Sequence, residues 1–120
     1  MVGDVITLGG GFTATILWEN ANPSTTIGAF TVSDLPNMTR FVCIGIENNS
    51  DITNSNSGCK TDFVFPDGDT YCLFCGSAAS GGGGTRYATV NSTSIAFTNG
   101  KWNGSNNSEV CVPTAILGIK

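Results

Sequence analysis

No stretch of this chain keeps an apolar spacing of 3.6 residues over three helical turns; apolar and polar residues instead alternate with period two along much of its length. A strand turns successive side chains to opposite faces, so this pattern is the signature of half-buried sheet. Phe12, Ala14, Ile16 and Trp18 fall on one face, with Thr13 and Thr15 on the other. Across residues 40–47, Val42, Ile44 and Ile46 stand in register while Phe41 and Cys43 face the opposite way. Such a strand is apolar on both sides and belongs in the interior of a sheet. Further strands are expected at 30–32, 63–65, 71–75, 86–90, 95–97 and 110–119, the last carrying Pro113.

Turn vocabulary separates these runs. Asn20-Ala21-Asn22-Pro23-Ser24 and Asp34-Leu35-Pro36-Asn37 each break a strand, and Pro66-Asp67-Gly68-Asp69 places its Asp-Gly in hairpin position. Residues 48–58 form a polar Asn/Ser-rich loop, Ser80 and Gly81 to Gly84 a flexible tip, and residues 99–108 another loop. The expected fold is all-β: an antiparallel β-sandwich, jelly-roll-like, with eight or nine short strands and no substantial helix. Residues 16–120 form its single domain, and residues 1–15 an N-terminal arm or edge strand.

Composition narrows the function. The chain has 120 residues, of which 40 % are hydrophobic and only 12 % charged, with 16 Gly and a comparable abundance of Thr, Asn and Ser. Net charge is −4, and the five basic residues (Arg40, Lys60, Arg86, Lys101, Lys120) are scattered singly. With no basic stripe to neutralise phosphates, nucleic acid is not an expected partner. No polybasic anchor and no apolar run of roughly 18 residues is present, so no membrane partner is expected either. The first residues show no basic-then-apolar signal pattern, which favours synthesis in a cytoplasm without Sec export. Histidine is absent, which removes Ser-His-Asp and Cys-His nucleophilic catalysis and every His-containing metal site.

The cysteines, Cys43, Cys59, Cys72, Cys75 and Cys111, are odd in number, so not all can pair within one chain. Cys72-Leu73-Phe74-Cys75 has the spacing of one half of a zinc ribbon, but no second half follows. In an extended strand Cys72 and Cys75 would point to opposite faces, and Cys43 and Cys111 lie in apolar runs. The expectation is therefore free core thiols in a reducing compartment, with Cys59, beside the polar loop, the most exposed. No metal or cofactor is expected.

Few residues suggest chemistry. Asp62, Asp67 and Asp69 are close in sequence but surround a turn, where acids are ordinary. A glycan hydrolase built on two such acids is the enzymatic alternative, and the expectation is no enzyme. Asp67-Gly68-Asp69 lacks the rest of a calcium loop, and Gly81 to Gly84 lacks the Lys-Ser/Thr and helix of a phosphate loop. The Asn-x-Ser/Thr triplets are chance products of a chain rich in those residues. Trp102 is the one large aromatic in a polar loop. Beside Asn103 and Asn106 it could stack on a sugar face while the amides hydrogen-bond hydroxyls, so these three residues are the candidate ligand-binding set.

Three stretches carry a resemblance. Leu17-Trp18-Glu19-Asn20-Ala21-Asn22-Pro23-Ser24 resembles the Leu-Trp-x-Asn-Pro-x-Pro opening of small virion structural proteins encoded by phages and prophages of Gram-positive gut bacteria. Arg86-Tyr87-Ala88-Thr89-Val90-Asn91-Ser92-Thr93-Ser94-Ile95-Ala96-Phe97 is similar to their Arg-x-x-x-Val-x-Ser-x-x-Ile/Val-x-Phe segment. Residues 110–120, with Pro113, Ile116, Gly118, Ile119 and Lys120, resemble their terminal Ile-Pro-x-x-Ile-x-Gly-Ile-Lys. The match in order spans roughly residues 16–120; residues 48–58, Cys59, Cys72, Cys75 and the first fifteen residues depart from it. The resemblance implies a virion component of tail tip, baseplate or fibre type, forming a homo-oligomer (a trimer among the options) with other virion proteins as partners. Attachment to a bacterial surface glycan is the leading functional expectation. A purely architectural capsid-decoration or tail-scaffold role is the alternative.

Overall fold

The computed structural model describes residues 1–7, 13–21, 27–48, 59–77 and 83–120, and every regular element among them is a strand. In chain order these are β1 (Val5–Thr7), β2 (Thr13–Glu19), β3 (Phe30–Val32), β4 (Arg40–Asn48), β5 (Cys59–Val64), β6 (Thr70–Ser77), β7 (Gly83–Val90), β8 (Ile95–Phe97), β9 (Lys101–Trp102), β10 (Ser105–Asn106) and β11 (Val110–Ile119). One antiparallel sheet runs β1-β2-β11-β4-β5. The other runs β10-β9-β7-β8-β3, with β6 along the opposite side of β7. The two sheets face each other across one core, so the protein is an antiparallel β-sandwich. It has eleven described strands rather than eight or nine. The surplus comes from β9 and β10, two-residue strands joined at Asn103-Gly104 within the stretch expected to be loop. Both turn residues have positive φ (50° and 83°), the geometry of a tight two-residue hairpin.

The inner faces supply Phe41, Cys43, Val64, Cys111 and Ile116 from the first sheet and Leu73, Phe74, Ala88, Val90, Ile95 and Phe97 from the second. Trp18 of β2 crosses the gap to Phe30 of β3 (ring centroids 5.3 Å), which stacks on Phe97 at 4.8 Å. Bulges decide which residues point inward. β2 and β11 shift register between Ile116 and Leu117, leaving Leu17 as the extra residue. The shift breaks the expected alternation: Trp18 packs on the inner core, whereas Ala14 and Ile16 belong to the other face. Phe12 lies outside the described residues. A second shift, between Pro113 and Ala115, sets Thr114 as the extra residue opposite β4, where its Oγ1 donates to the Ile44 carbonyl at 3.1 Å. Pro113, which has no N–H to give a ladder, is thereby accommodated in the central strand.

The third bulge lies in β6. Register shifts between Leu73 and Gly76, Phe74 takes φ +54°, and both Leu73 and Phe74 turn into the core. The Phe74 ring fills space that exists because residue 45 is glycine: a Cβ there would fall 2.6 Å from the ring and 2.8 Å from the Val112 carbonyl. The backbone of Phe74 is held from two sides. Its N–H donates to Asp62 Oδ2 at 2.7 Å, and its carbonyl accepts the Cys111 S–H at 2.8 Å.

The Asp67-Gly68 turn links β5 to β6 but makes no hairpin, because the two strands belong to different sheets. It bridges the layers and is tied to the end of β7 instead, through Gly68 N to Val90 O (2.7 Å) and Val90 N to Asp69 O (3.0 Å). Gly83 and Gly84, expected in a flexible tip, are the first two residues of β7.

The first sheet is apolar on its outer face as well. Ala14, Val42, Leu117 and Ile119 are buried there among themselves, with Ile16, Ile44 and Ala115 partly buried against them. Phe63, paired with Val42, extends this face and is 58 % exposed; Ile6, paired with Ala14, is 42 % exposed. Arg40 pairs with Ile119 on the same face, and its Nε is buried with no hydrogen-bond partner among the described residues.

Candidate functional site

The β9–β10 hairpin carries all three candidate ligand-binding residues, and its geometry divides them. Trp102 pairs with Ser105 and Asn106 with Lys101, so Trp102 and Asn106 project from opposite faces of the two-stranded ribbon. Trp102 is half-buried and lies over Gly84 of β7, where an added Cβ would meet its ring at 3.6 Å. Asn103 is spent on the turn: its N–H donates to the Gly83 carbonyl at 2.9 Å, and its Oδ1 accepts the Gly83 N–H at 3.0 Å. Asn106 is exposed. One flank of Trp102 is thus an aromatic surface on the edge of the second sheet, without the two amides converging on it.

Of the three acids expected to surround a turn, Asp62 and Asp67 are engaged separately through their carboxylates, and Asp69 takes part in the turn through its backbone. Asp62 holds the Phe74 bulge. Asp67 closes its own turn, accepting the Asp69 N–H at 2.9 Å and the Tyr71 hydroxyl at 2.8 Å. These two bonds, the backbone one foremost, hold its carboxyl below the usual range, and the Tyr71 hydroxyl is pushed up by the same contact. No three His, Cys, Asp or Glu side chains come together among the described residues.

The thiols divide into two kinds. Cys43 and Cys111 are buried, and burial, helped by the charge of Asp62, pushes Cys43 up to about 12. Cys72 and Cys75 are both exposed, against the expectation of opposite faces and core positions. The bulge spends two consecutive residues on the inner face, so the flanking cysteines both emerge on the outer one. Cys72 stands opposite Tyr87 of β7, and its thiol is raised by local desolvation and then by the charge and hydrogen bonding of Cys75. The Cys59 side chain lies outside the described residues.

The most elaborate polar arrangement belongs to Arg86, which no reading of the motifs singled out as a site. Its position on β7 alternates with Gly84, Ala88 and Val90, all buried, and Arg86 itself is 0 % exposed. A guanidinium has five N–H donors, and here five backbone carbonyls accept them. Nε donates to Cys111 (2.7 Å), Nη1 to Gly28 (3.0 Å) and Thr98 (2.8 Å), and Nη2 to Ile27 (2.9 Å) and Val110 (3.2 Å). No carboxylate pairs with it among the described residues. Burial pulls it down to about 10, which leaves it charged at neutral pH. Gly100 leaves room for the cage, since a Cβ there would lie 2.5 Å from the Asn107 carbonyl and 3.0 Å from Arg86 Nη2. With every donor occupied and no opening to solvent, this arginine ties segments together and presents nothing to a ligand.

Of the three resembling segments, the first reaches β2 only through Leu17–Glu19, and its residues 22–24 lie outside the described residues; the second is the β7–β8 hairpin that begins the Arg86 cage, and the third contains β11. Comparison with protein-family models, with curated proteins and with solved structures finds no match for this chain.

Proposed function

We propose that this protein is a virion structural subunit of phage tail, baseplate or fibre type, and that it works by assembling with copies of itself and with other virion proteins. The observation that carries the assembly reading is the doubly apolar first sheet. Isolated subunits rarely leave large apolar side chains bare beside an apolar cluster, and here Phe63 (58 % exposed) and Ile6 (42 % exposed) flank the outer cluster of Ala14, Val42, Leu117 and Ile119, which the chain itself buries. Support for phage origin comes from the three resembling segments, whose described residues lie largely in β2, β7, β8 and β11 and so speak to shared architecture more than to a ligand. Light scattering tests the assembly: a discrete oligomer is expected, and Phe63→Asp should disperse it to monomers with an unchanged circular dichroism spectrum. A wild-type monomer at high micromolar concentration would sink the reading.

Attachment to a bacterial surface glycan is the second reading, favoured by the half-exposed indole of Trp102 on an edge hairpin. Binding to purified cell-wall glycan that is lost in Trp102→Ala would support it. Equal retention of wild type and variant would leave architecture as the role.

A further inference from the structure

The Cys72-Leu73-Phe74-Cys75 segment changes meaning once the bulge is seen. In a regular strand, thiols three residues apart face opposite ways and never meet. Here Leu73 and Phe74 both point inward, Phe74 adopts φ +54°, and the strand re-enters its ladder at Gly76 opposite Gly84. Cys72 and Cys75 therefore share the exposed outer face of the second sheet, close enough to interact. The bulge is fixed by groups outside β6: Asp62 and Cys111 hold the Phe74 backbone, and the absence of a side chain at Gly45 seats its ring. The pair is thus brought together by the fold as a whole.

We infer that Cys72 and Cys75 form a surface dithiol that closes to an intrachain disulfide on exposure to a low-molecular-weight disulfide. In the first step one cysteine thiolate attacks a sulfur of glutathione disulfide, forming a mixed disulfide and releasing one glutathione thiolate. In the second, the other cysteine thiolate attacks the protein sulfur of that mixed disulfide and expels the second glutathione. The protein loses two electrons and two protons, and one glutathione disulfide becomes two glutathiones. Both thiols are themselves exposed, so the reagent can reach them, and Tyr87, facing Cys72 across the ladder, touches its thiol from one side only. Cys43 and Cys111 are buried and take no part. The inference does not depend on what the protein assembles into.

The sequence makes the test clean, because trypsin cleaves after Lys60 and after Arg86 and so places Cys72 and Cys75 alone in one peptide, residues 61–86. The folded protein is equilibrated with reduced and oxidised glutathione, quenched by alkylation in denaturant without reduction, digested and weighed. The expected peptide has lost two hydrogens and carries no alkyl group or glutathione. Its disulfide should dominate at glutathione ratios at least about tenfold more reducing than those needed by the chain equilibrated in denaturant. In Gly45→Ala, which displaces the Phe74 ring, that advantage should shrink. A peptide bearing two alkyl groups or two glutathiones under oxidising buffer would overturn the inference. So would an equal equilibrium in native and denatured chains, since the fold would then contribute nothing.

Discussion

Arg86 shows how one residue can organise a small sandwich without taking part in any reaction. A buried charge is ordinarily matched by an opposite one, but here five carbonyl dipoles share the task. Lysine offers three donors from a single point and cannot reach the same fork. Arg86→Lys is therefore expected to lower unfolding free energy by about 3 kcal/mol, read from denaturant midpoints at constant slope. Part of this was legible in the sequence, because period two from Gly84 to Val90 places residue 86 on the inner side. The cage itself was not, since its acceptors come from residues 27, 28, 98, 110 and 111, which no local pattern brings together. A second test at this scale concerns Cys43. A thiol pushed up to about 12 by burial is a poor nucleophile, so its alkylation should proceed only through global opening and track stability. Cys72 and Cys75, by contrast, should label in the native state.

At the scale of elements, the bulges matter more than the strands. The longer strands followed from alternation alone, but alternation was misleading at three points: Leu17, Phe74 and Thr114. At each one the neighbouring strand forces an extra residue, and inward and outward exchange beyond it. The Asn103-Gly104 hairpin, in contrast, carried a strong local signal that the surrounding polar run concealed. Gly45 and Phe74 should behave as a unit. Gly45→Ala alone is expected to cost about 1–3 kcal/mol through overpacking. In Phe74→Leu the same substitution should cost less, giving a measurable coupling in a double-mutant cycle. The turn between the sheets adds a pH dependence. Because Asp67 is held below its ordinary 3.8 in the folded chain, its contribution is present above that value and is lost as pH falls through the lower, folded one. Asp67→Asn should flatten the acid limb of melting temperature against pH below about 4 while leaving the neutral plateau nearly parallel.

For the whole molecule, the two-layer architecture followed from sequence because scarce charge, abundant turn residues and period-two alternation all pointed the same way. The candidate ligand site was legible only as a list of residues. Trp102, Asn103 and Asn106 are neighbours in sequence, but a two-stranded ribbon sends them in different directions and uses one of them to make its turn. The outer apolar face was foreshadowed by residues 40–47, apolar on both sides, a pattern equally consistent with a strand covered from within its own chain. Ile6→Asp separates the possibilities. If an assembled neighbour covers the 42 % exposed Ile6 at the edge of this face, the variant should weaken the oligomer; if that edge stays in water, the oligomeric state should not change.

The arginine cage also sets an order of events during synthesis. Two of its acceptors, and the middle strand of the first sheet, arrive only with residues 110–119. A nascent chain that has passed residue 97 already owns the β7–β8 hairpin and the cation, yet has nowhere to bury either. Ribosome-tethered chains ending before residue 110 should thus remain protease-sensitive, and resistance should appear in one step once β11 clears the exit tunnel.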